Sequence, residues 1–232
     1  MPLFLRNRDT HTAELMDSAD CNPVLLNNTY RHFTHINRML SGWELLFHRY
    51  IAPRCTDDNK VYTLLDIGFG GGDIPLHMRE LAFKYGIKLQ ITAIDTDPRA
   101  LLYVNTTFRN TGISFQCISE ADLVKEGETY DFVISNHLIH HLEGSEVTSL
   151  LTNAKKLANE MVLFSDLCRS DIAWFLFNGL TLFSFRDSFI RYDGLTSIRR
   201  SYTVDELQQL VPEGYRVEAT IPFRLLVTHM NP

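Results

Sequence analysis

The sequence predicts an α/β protein built on a mostly parallel β-sheet. Short apolar runs alternate with helical patterns through the middle of the chain, and this alternation is typical of βαβ units. A glycine-rich loop follows the first apolar run, and an acidic residue ends the second. Hydrophobic residues make up 45% and charged residues 22% of the 232-residue chain, which is usual for a globular protein, so we expect no long disordered stretch.

The first 55 residues are predicted to form a helical cap ahead of the sheet. Apolar residues recur close to every 3.6 positions between Asn27 and Leu40, and a second apolar stripe runs from Trp43 to Ile51. Pro53 stops this second stripe. A polar linker follows, and we therefore expect residues 56–232 to form the sheet-containing unit.

Five strands are predicted between residues 61 and 164. They are Val61–Ile67, Leu89–Ile94, a stretch around Ile113–Cys117, Phe132–Ile134 and Met161–Phe164. Asp73 is expected to cap the helix after the first strand, and Pro98 opens the helix after the second. A third helical pattern runs from Val147 to Ala158.

The last thirty residues follow a different pattern. Thr203 and Glu206 form a capping box for a short helix. The alternating stretch 215–219 and the run Phe223–Val227 then predict two more strands. Because a parallel crossover needs a dozen or more residues, these two strands are expected to pair antiparallel.

The most apolar segment, Ile172–Phe185, lies in an insertion over about residues 167–202. Its 14 residues are too few to cross a membrane, which takes about 20 apolar residues. Two interpretations stay open: ordinary core packing, or an aromatic-rich lid over a hydrophobic substrate.

The strongest motif is a run of two apolar residues, an aspartate and spaced glycines. It reads Leu64-Leu65-Asp66-Ile67-Gly68-Phe69-Gly70-Gly71-Gly72. The glycines let the backbone turn sharply and approach a ligand closely. Asp73 breaks the dinucleotide pattern G-x-G-x-x-G and would repel a pyrophosphate at a helix N-terminus, which argues against NAD. Asp95, 23 residues after Gly72, is placed to accept hydrogen bonds from a ribose diol.

These residues resemble motifs of the class I methyltransferases that use S-adenosylmethionine. The segment from Tyr130 to Leu142, which contains Ser135-Asn136-His137-Leu138-Ile139-His140-His141, is similar to the fourth-strand motif of their ubiquinone/menaquinone-type small-molecule branch. The resemblance implies a Rossmann-like sheet of order 3-2-1-4-5-7-6, with strand 7 antiparallel and helices on both faces. It also implies S-adenosylmethionine as cofactor.

The resemblance also implies a set of cofactor-binding residues. They are Asp66 and Gly68 near the methionine part, Gly70 and Gly72 along the cofactor path, Asp95 at the ribose, Thr96 beside the adenine, and Asn136 beside the transferred methyl. Ser119 stands where an acidic residue usually meets the adenine amino group.

Three residues are candidates for catalysis, namely His140, His141 and Asp166, because a phenol or enol acceptor must lose a proton to a nearby base. His140 and His141 have the alternative role of shaping the pocket wall. No metal is expected, because Leu138 replaces the glutamate of a zinc protease motif and no acidic pair accompanies the histidines.

The predicted function is methyl transfer to an oxygen or carbon of a lipophilic small molecule, such as a quinol, phenol or polyketide-like ring. Two alternatives remain: a tRNA or nucleic-acid methyltransferase using the basic stretch Arg186–Arg200, and a non-catalytic module that only binds S-adenosylmethionine. The net charge of −6 makes a nucleic-acid partner less favoured. Scattered cysteines and the absence of a secretory signal predict a cytoplasmic protein. The sequence does not predict whether it is a monomer or a homodimer.

Overall fold

The computed structural model describes residues 2–231, and its centre is a seven-stranded β-sheet. In chain order the strands are β1 Tyr62–Ile67, β2 Leu89–Asp95, β3 Ser114–Cys117, β4 Tyr130–Asn136, β5 Ala158–Leu167, β6 Arg216–Thr220 and β7 Arg224–Met230. Their order across the sheet is β3-β2-β1-β4-β5-β7-β6. The predicted fold class, Rossmann-like with this strand order, is confirmed.

The strand directions also agree with the prediction. Strands β1 to β5 pair in parallel, whereas β7 is antiparallel to both β5 and β6. The short connection from Thr220 to Arg224 permits only this antiparallel pairing. Arg224 lies opposite Leu167, so the start of β7 reaches the carboxyl end of β5.

Nine α-helices flank the sheet and precede it in the part of the chain that the structure describes. They are α1 Pro23–Leu40, α2 Trp43–Leu46, α3 Asp73–Lys84, α4 Pro98–Thr107, α5 Glu120–Glu126, α6 Gly144–Leu157, α7 Asp171–Thr181, α8 Ile190–Arg200 and α9 Val204–Gln208. Helix α2 continues through a π-helical turn, Phe47–Ile51, and a 3-10 turn, Ala52–Arg54, which contains Pro53.

Neighbouring residues of β1 face opposite helical layers. Leu64 is buried with Trp43 and Met78 of α2 and α3. Leu65 faces the other way and is buried with residues of α6, including Val147 and Leu151. Both faces of the parallel sheet are therefore covered, as its nearly continuous apolar strands require.

The residues that cap the helices are mostly of the types that favour helix N-termini, but one predicted cap is wrong. Asn22 caps α1, accepting hydrogen bonds from the next residues, so the helix begins four residues before the predicted Asn27. Asp97 caps α4 and the Thr203–Glu206 capping box opens α9. The prediction that Asp73 caps α3 is wrong, because Gly72 takes that place with φ +75° and Asp73 is the first helical residue.

Helix α1 meets α8, and α8 packs against α7. The Phe189 amide before α8 donates a 2.9 Å hydrogen bond to the Thr29 hydroxyl of α1. Helix α7 buries only Ala173 and Thr181, and Phe175 stays 60% exposed. Ala173, Trp174 and Phe177 nevertheless pack with Leu5 and Ile198, so the segment combines packed and exposed apolar side chains. No helix within residues 2–231 is long and apolar enough to cross a membrane.

Candidate active site

A cavity of about 1350 Å³ opens at the carboxyl ends of β1, β2 and β4. The chain leaves β1 for β2 on one side and returns to β4 on the other, and such a switch of direction is where α/β sheets bind ligands. Helix α1 and helix α7 complete the wall. The cavity is large enough for a nucleoside-sized cofactor and a second molecule.

The glycine loop after β1 forms the floor of this cavity. Gly68 and Gly70 line it, both with positive φ angles, 79° and 49°. At Gly71 an added Cβ would lie 3.3 Å from the backbone oxygen of Tyr30, so α1 sits directly on the loop. Gly72 does not line the cavity, contrary to its predicted place on the cofactor path; an added Cβ there would meet Val104 at 2.8 Å. Its role is the close packing of the loop against α4.

Three aspartates lie close to the glycine loop, namely Asp66, Asp73 and Asp95. Asp66 is buried behind the cavity wall, and neither of its carboxylate oxygens has a hydrogen-bond partner among the described residues. Burial, together with the charges of Asp73 and Asp95, raises the pKa of Asp66 well above its ordinary value. Burial also raises the pKa of Asp73 to about 6.

This concentration of buried acids tests which cofactor fits. A pyrophosphate at the N-terminus of α3 would face the Asp73 carboxylate and be repelled. A cationic ammonium or sulfonium would instead provide the positive partner that these buried carboxylates do not have among the described residues. The loop therefore fits S-adenosylmethionine and does not fit a dinucleotide.

Asp95 and Thr96 line the cavity at the end of β2. The Asp95 carboxylate accepts hydrogen bonds from the amides of Gly70 and Asp97, at 2.8 and 2.9 Å. Burial raises its pKa, against the effect of these amide hydrogen bonds. The carboxylate is thus held rigidly between loop and strand, with capacity left to accept from a ribose diol.

Ser119 also borders the cavity, but its hydroxyl is engaged within the protein. It caps α5 by accepting from the Asp122 amide and donates to the Asp122 carboxylate at 2.6 Å. The neighbouring Glu120 lines the same wall. Glu120 is therefore an acidic group at the adenine end that the sequence analysis did not select.

The three predicted catalytic residues come together after β4 and β5. His140 Nδ1 lies 2.7 Å from the Asp166 carboxylate, which also accepts from the His140 amide at 3.0 Å. His140 and His141 line the cavity, whereas Asp166 lies behind them. Burial favours neutral His140, but the carboxylates of Asp166 and Glu14 outweigh it and raise its pKa to about 10. His140 therefore carries a proton at neutral pH.

Glu14 is the residue that sequence reasoning missed here. It is 3% exposed, and its Oε1 lies 3.3 Å from His140 Nε2 and 4.0 Å from His141 Nε2. His140 Nε2 nevertheless makes no aligned hydrogen bond to any described residue. Asp17 holds the other nitrogen of His141, Nδ1, at 3.2 Å. No local signal links Glu14 to residues 126 positions later.

Glu14, His140 and His141 place three ligand atoms within 4.8 Å of one another, an arrangement that a metal ion would also fit. The sequence argument against a metal relied on the lack of an acidic partner, and Glu14 supplies one. A proton on His140, held between two carboxylates, accounts for the same convergence without an ion. We keep the expectation of no metal as a prediction and test it below.

A second polar cluster surrounds Asn136, which lines the cavity at the end of β4. The Asn136 Oδ1 accepts from Trp43 Nε1 at 3.1 Å and from Arg224 Nη2 at 2.6 Å. Two donors on one oxygen fix the orientation of the amide. The amide NH₂ group is left to meet a ligand. The sequence analysis did not select Trp43 or Arg224 as site residues, because both belong to apolar stretches that are far from Asn136 in the sequence.

Comparison with known proteins shows similarity to methyltransferases. Residues 64–160 match the family described as "Methyltransferase domain". No curated protein sequence matches the chain. Among solved structures, the chain resembles the plantazolicin methyltransferase BpumL in complex with a pentazolic desmethylPZN analog and SAH (TM-score 0.60, 17% identity, 92% of this chain and 91% of that chain).

Two further structures are similar. A SAM dependent methyltransferase from Aquifex aeolicus has a TM-score of 0.54 and 18% identity, over 88% of this chain and 97% of that chain. The citrinin polyketide synthase CMeT domain has a TM-score of 0.56 and 11% identity, over 79% of this chain and 50% of that chain. At these identities the similarity to each structure establishes the fold.

Proposed function

We propose that this class I, S-adenosylmethionine-dependent methyltransferase methylates an oxygen or carbon atom of a lipophilic small molecule, such as a quinol, a phenol or a polyketide-like ring. One observation carries the proposal: His140, paired with Asp166 behind it, and an apolar wall face the same cavity as the glycine loop. Charge at one point and apolar surface elsewhere suit a mostly hydrophobic acceptor with one polar reacting group.

The apolar wall comes from helix α7 and helix α1. Ala173, Leu176 and Phe177 of α7 line the cavity, opposite Phe33 and Ile36 of α1. Leu176 is 61% exposed as well, so it lies where the cavity meets solvent. An acceptor that enters past α7 therefore meets apolar side chains, which favours a lipophilic molecule.

The reaction needs alignment and charge more than covalent help from the protein. S-adenosylmethionine, when bound, supplies a methyl group on a positively charged sulfur. An acceptor in its anionic form reacts more readily, because opposite charges cancel in the transition state. The task of this chain is therefore to hold the acceptor in line and to favour its anionic form.

His140 and His141 divide this task in our proposal. Protonated His140, fixed by Asp166 and with Glu14 3.3 Å from its Nε2, favours the anionic acceptor by its positive charge. His141, oriented by Asp17, accepts the proton that the acceptor hydroxyl releases. Asp166 is a positioning residue, because its oxygens already accept from the ring and amide of His140.

The test is enzyme-dependent transfer of a labelled methyl group to a panel of quinols, phenols and enol-containing rings. We expect transfer to at least one acceptor, and the H140Q/H141Q double variant to lower turnover at least tenfold. His11→Gln removes an exposed histidine outside the cavity and should leave turnover unchanged. Unchanged turnover in the double variant would exclude the proposed roles of His140 and His141.

The alternatives give different results in the same assay. Binding of S-adenosylhomocysteine without transfer to any acceptor would favour a non-catalytic binding module. The tRNA alternative loses support from the structure, because Arg200 of the basic stretch donates to the backbone oxygens of Thr12 and His141 at 2.8 and 3.1 Å. Salt-sensitive retention of RNA would restore that alternative.

A further inference from the structure

Arg224 is a buried cation on the cavity wall that makes no ion pair. The residue is 3% exposed and lines the cavity, and no carboxylate among the described residues lies within ion-pair distance of its guanidinium. Other arginines of this region are paired: Arg99 with Asp97, and Arg169 with Glu206. A buried charge without a partner is costly, so its retention beside a cavity points to a ligand.

Neutral groups hold the Arg224 guanidinium in one orientation. Nε donates to the Ser165 hydroxyl at 2.9 Å, Nη2 donates to Asn136 Oδ1 at 2.6 Å, and Nη1 lies 2.6 Å from His137 Nε2. Burial and the Arg224 charge lower the pKa of His137 well below its usual value, so His137 is neutral and its Nε2 accepts. His137 itself is fixed in the left-handed region, with φ 59°.

The protons that remain have the pattern that a carboxylate matches. A guanidinium has five N–H groups, and the three bonds above use one on each nitrogen. One N–H on each terminal nitrogen has no acceptor in the described part of the chain. A guanidinium with a free N–H on each terminal nitrogen suits a carboxylate, because both oxygens of a carboxylate accept hydrogen bonds.

The neighbouring charges leave room for an anion. Burial lowers the pKa of Arg224 to about 10, so it stays charged at neutral pH. Asp166 is the carboxylate that opposes this lowering, but its oxygens are engaged by protonated His140. Glu14 contacts His140 at Nε2, the ring nitrogen that Asp166 does not hold. The two carboxylates of the cluster, Asp166 and Glu14, are therefore both next to His140, whereas Arg224 lines the cavity without a carboxylate partner among the described residues.

We propose that Arg224 binds a carboxylate group of the methyl acceptor, so that the acceptor is a lipophilic aromatic or enolic acid. This inference rests on the proposed function for the place where an acceptor binds, since Asn136 joins Arg224 to the predicted position of the transferred methyl. A carboxylate on Arg224 would anchor the acceptor beside Asn136 and His140. The apolar remainder would lie against α7.

The experiment measures binding rather than turnover. Protein saturated with S-adenosylhomocysteine is titrated by calorimetry with matched acid and amide pairs: benzoate and benzamide, 1-naphthoate and 1-naphthamide, and 3-hydroxy-2-naphthoate and its amide. We expect at least one carboxylate to bind ten times more tightly than its amide. Arg224→Met should reduce this ratio to less than twofold, and Arg224→Lys should keep part of it.

Matched controls separate this inference from the proposed function. Arg216→Met removes an exposed arginine of the neighbouring strand β6 and should keep the wild-type ratio. Each variant is first titrated with S-adenosylhomocysteine, and failure to bind it in the wild type would contradict the cofactor assignment instead. No preference for carboxylates in the wild type, or an equal preference in Arg224→Met, overturns the role of Arg224. Arg224-dependent binding of 2-naphthol at high pH, without binding of the acids, also overturns it.

Discussion

Single side chains decide which molecules the cavity accepts, and the aspartates around the glycine loop show how. Asp66 and Asp95 both belong to sequence motifs, yet only Asp95 faces the cavity with its orientation fixed by two backbone amides. Asp66 is buried behind the wall without any partner. Asp95 is therefore the aspartate from which a direct contact with the cofactor is expected, whereas Asp66 lies behind the cavity wall.

Asp95→Ala is expected to weaken binding of S-adenosylhomocysteine at least tenfold. Hydrogen bonds to a charged group are worth about 1.5–3 kcal/mol, and about 1.4 kcal/mol is a factor of ten in affinity. Calorimetric titration measures the effect, and Asp205→Asn, an exposed residue of α9, is the control. An affinity within twofold of the wild type would contradict the ribose-binding role of Asp95.

Removal of metal tests the interpretation of Glu14, His140 and His141 as a proton-held cluster. Dialysis against EDTA, followed by assay in metal-free buffer, is expected to leave methyl transfer unchanged, because a proton already lies between the two carboxylates. Elemental analysis of the purified protein accompanies the assay. Loss of activity that zinc or manganese restores would instead make these three residues a metal site.

At the scale of elements, the N-terminal segment completes the site that the βαβ core only begins. Arg8 donates to the backbone oxygens of His140 and Leu142 at 2.9 and 2.8 Å, which ties residues before α1 to the loop after β4. The Asp193 carboxylate of α8 accepts from the amides of Leu15 and Met16. These contacts place Glu14 against His140.

Arg8→Ala is expected to loosen this segment without harming cofactor binding. Amide exchange of residues 9–17 should become at least tenfold faster, turnover should fall, and the affinity for S-adenosylhomocysteine should stay within twofold. Arg6→Ala, at an exposed neighbouring position, serves as the control. Slower turnover with unchanged amide exchange would show that Arg8 acts in another way.

The elements also show what a sequence can and cannot predict. The strands and the motif residues after β1, β2 and β4 were predictable from apolar periodicity and glycine spacing, which are local signals, whereas the strand order was implied by the resemblance to class I methyltransferases. Glu14, Trp43 and Arg224 were not, because each reaches the site from a segment whose local pattern is that of ordinary packing. The lid or core alternative for Ile172–Phe185 was undecidable from the sequence, because it depends on the tertiary partners of α7, which a local pattern does not encode.

At the scale of the whole molecule, folding brings ionisable side chains together beside the cavity and thereby changes the pKa of His140. His140 is 2% exposed and lies between Asp166 and Glu14, with the rings of His137 and His141 nearby. In the unfolded chain these partners separate and His140 has its ordinary pKa of 6.5, against about 10 in the folded protein. The folded state therefore holds this proton more tightly than the unfolded state does.

This difference predicts how stability depends on pH. The contribution of protonated His140 is complete below pH 6.5 and is lost as the pH rises through about 10, with a slope of up to about 1.4 kcal/mol per pH unit. Denaturant unfolding of the wild type and His140→Gln between pH 6 and 10 measures it, and the difference between the two proteins cancels the titration of all other groups. We expect that difference to shrink as the pH rises. Glu14→Gln keeps the histidine but removes one carboxylate that raises the pKa of His140, so its loss of stability should end at a lower pH than in the wild type. A difference between wild type and His140→Gln that stays constant from pH 6 to 10 would mean that His140 is neutral in the folded protein, and it would return His140 to the role of a base.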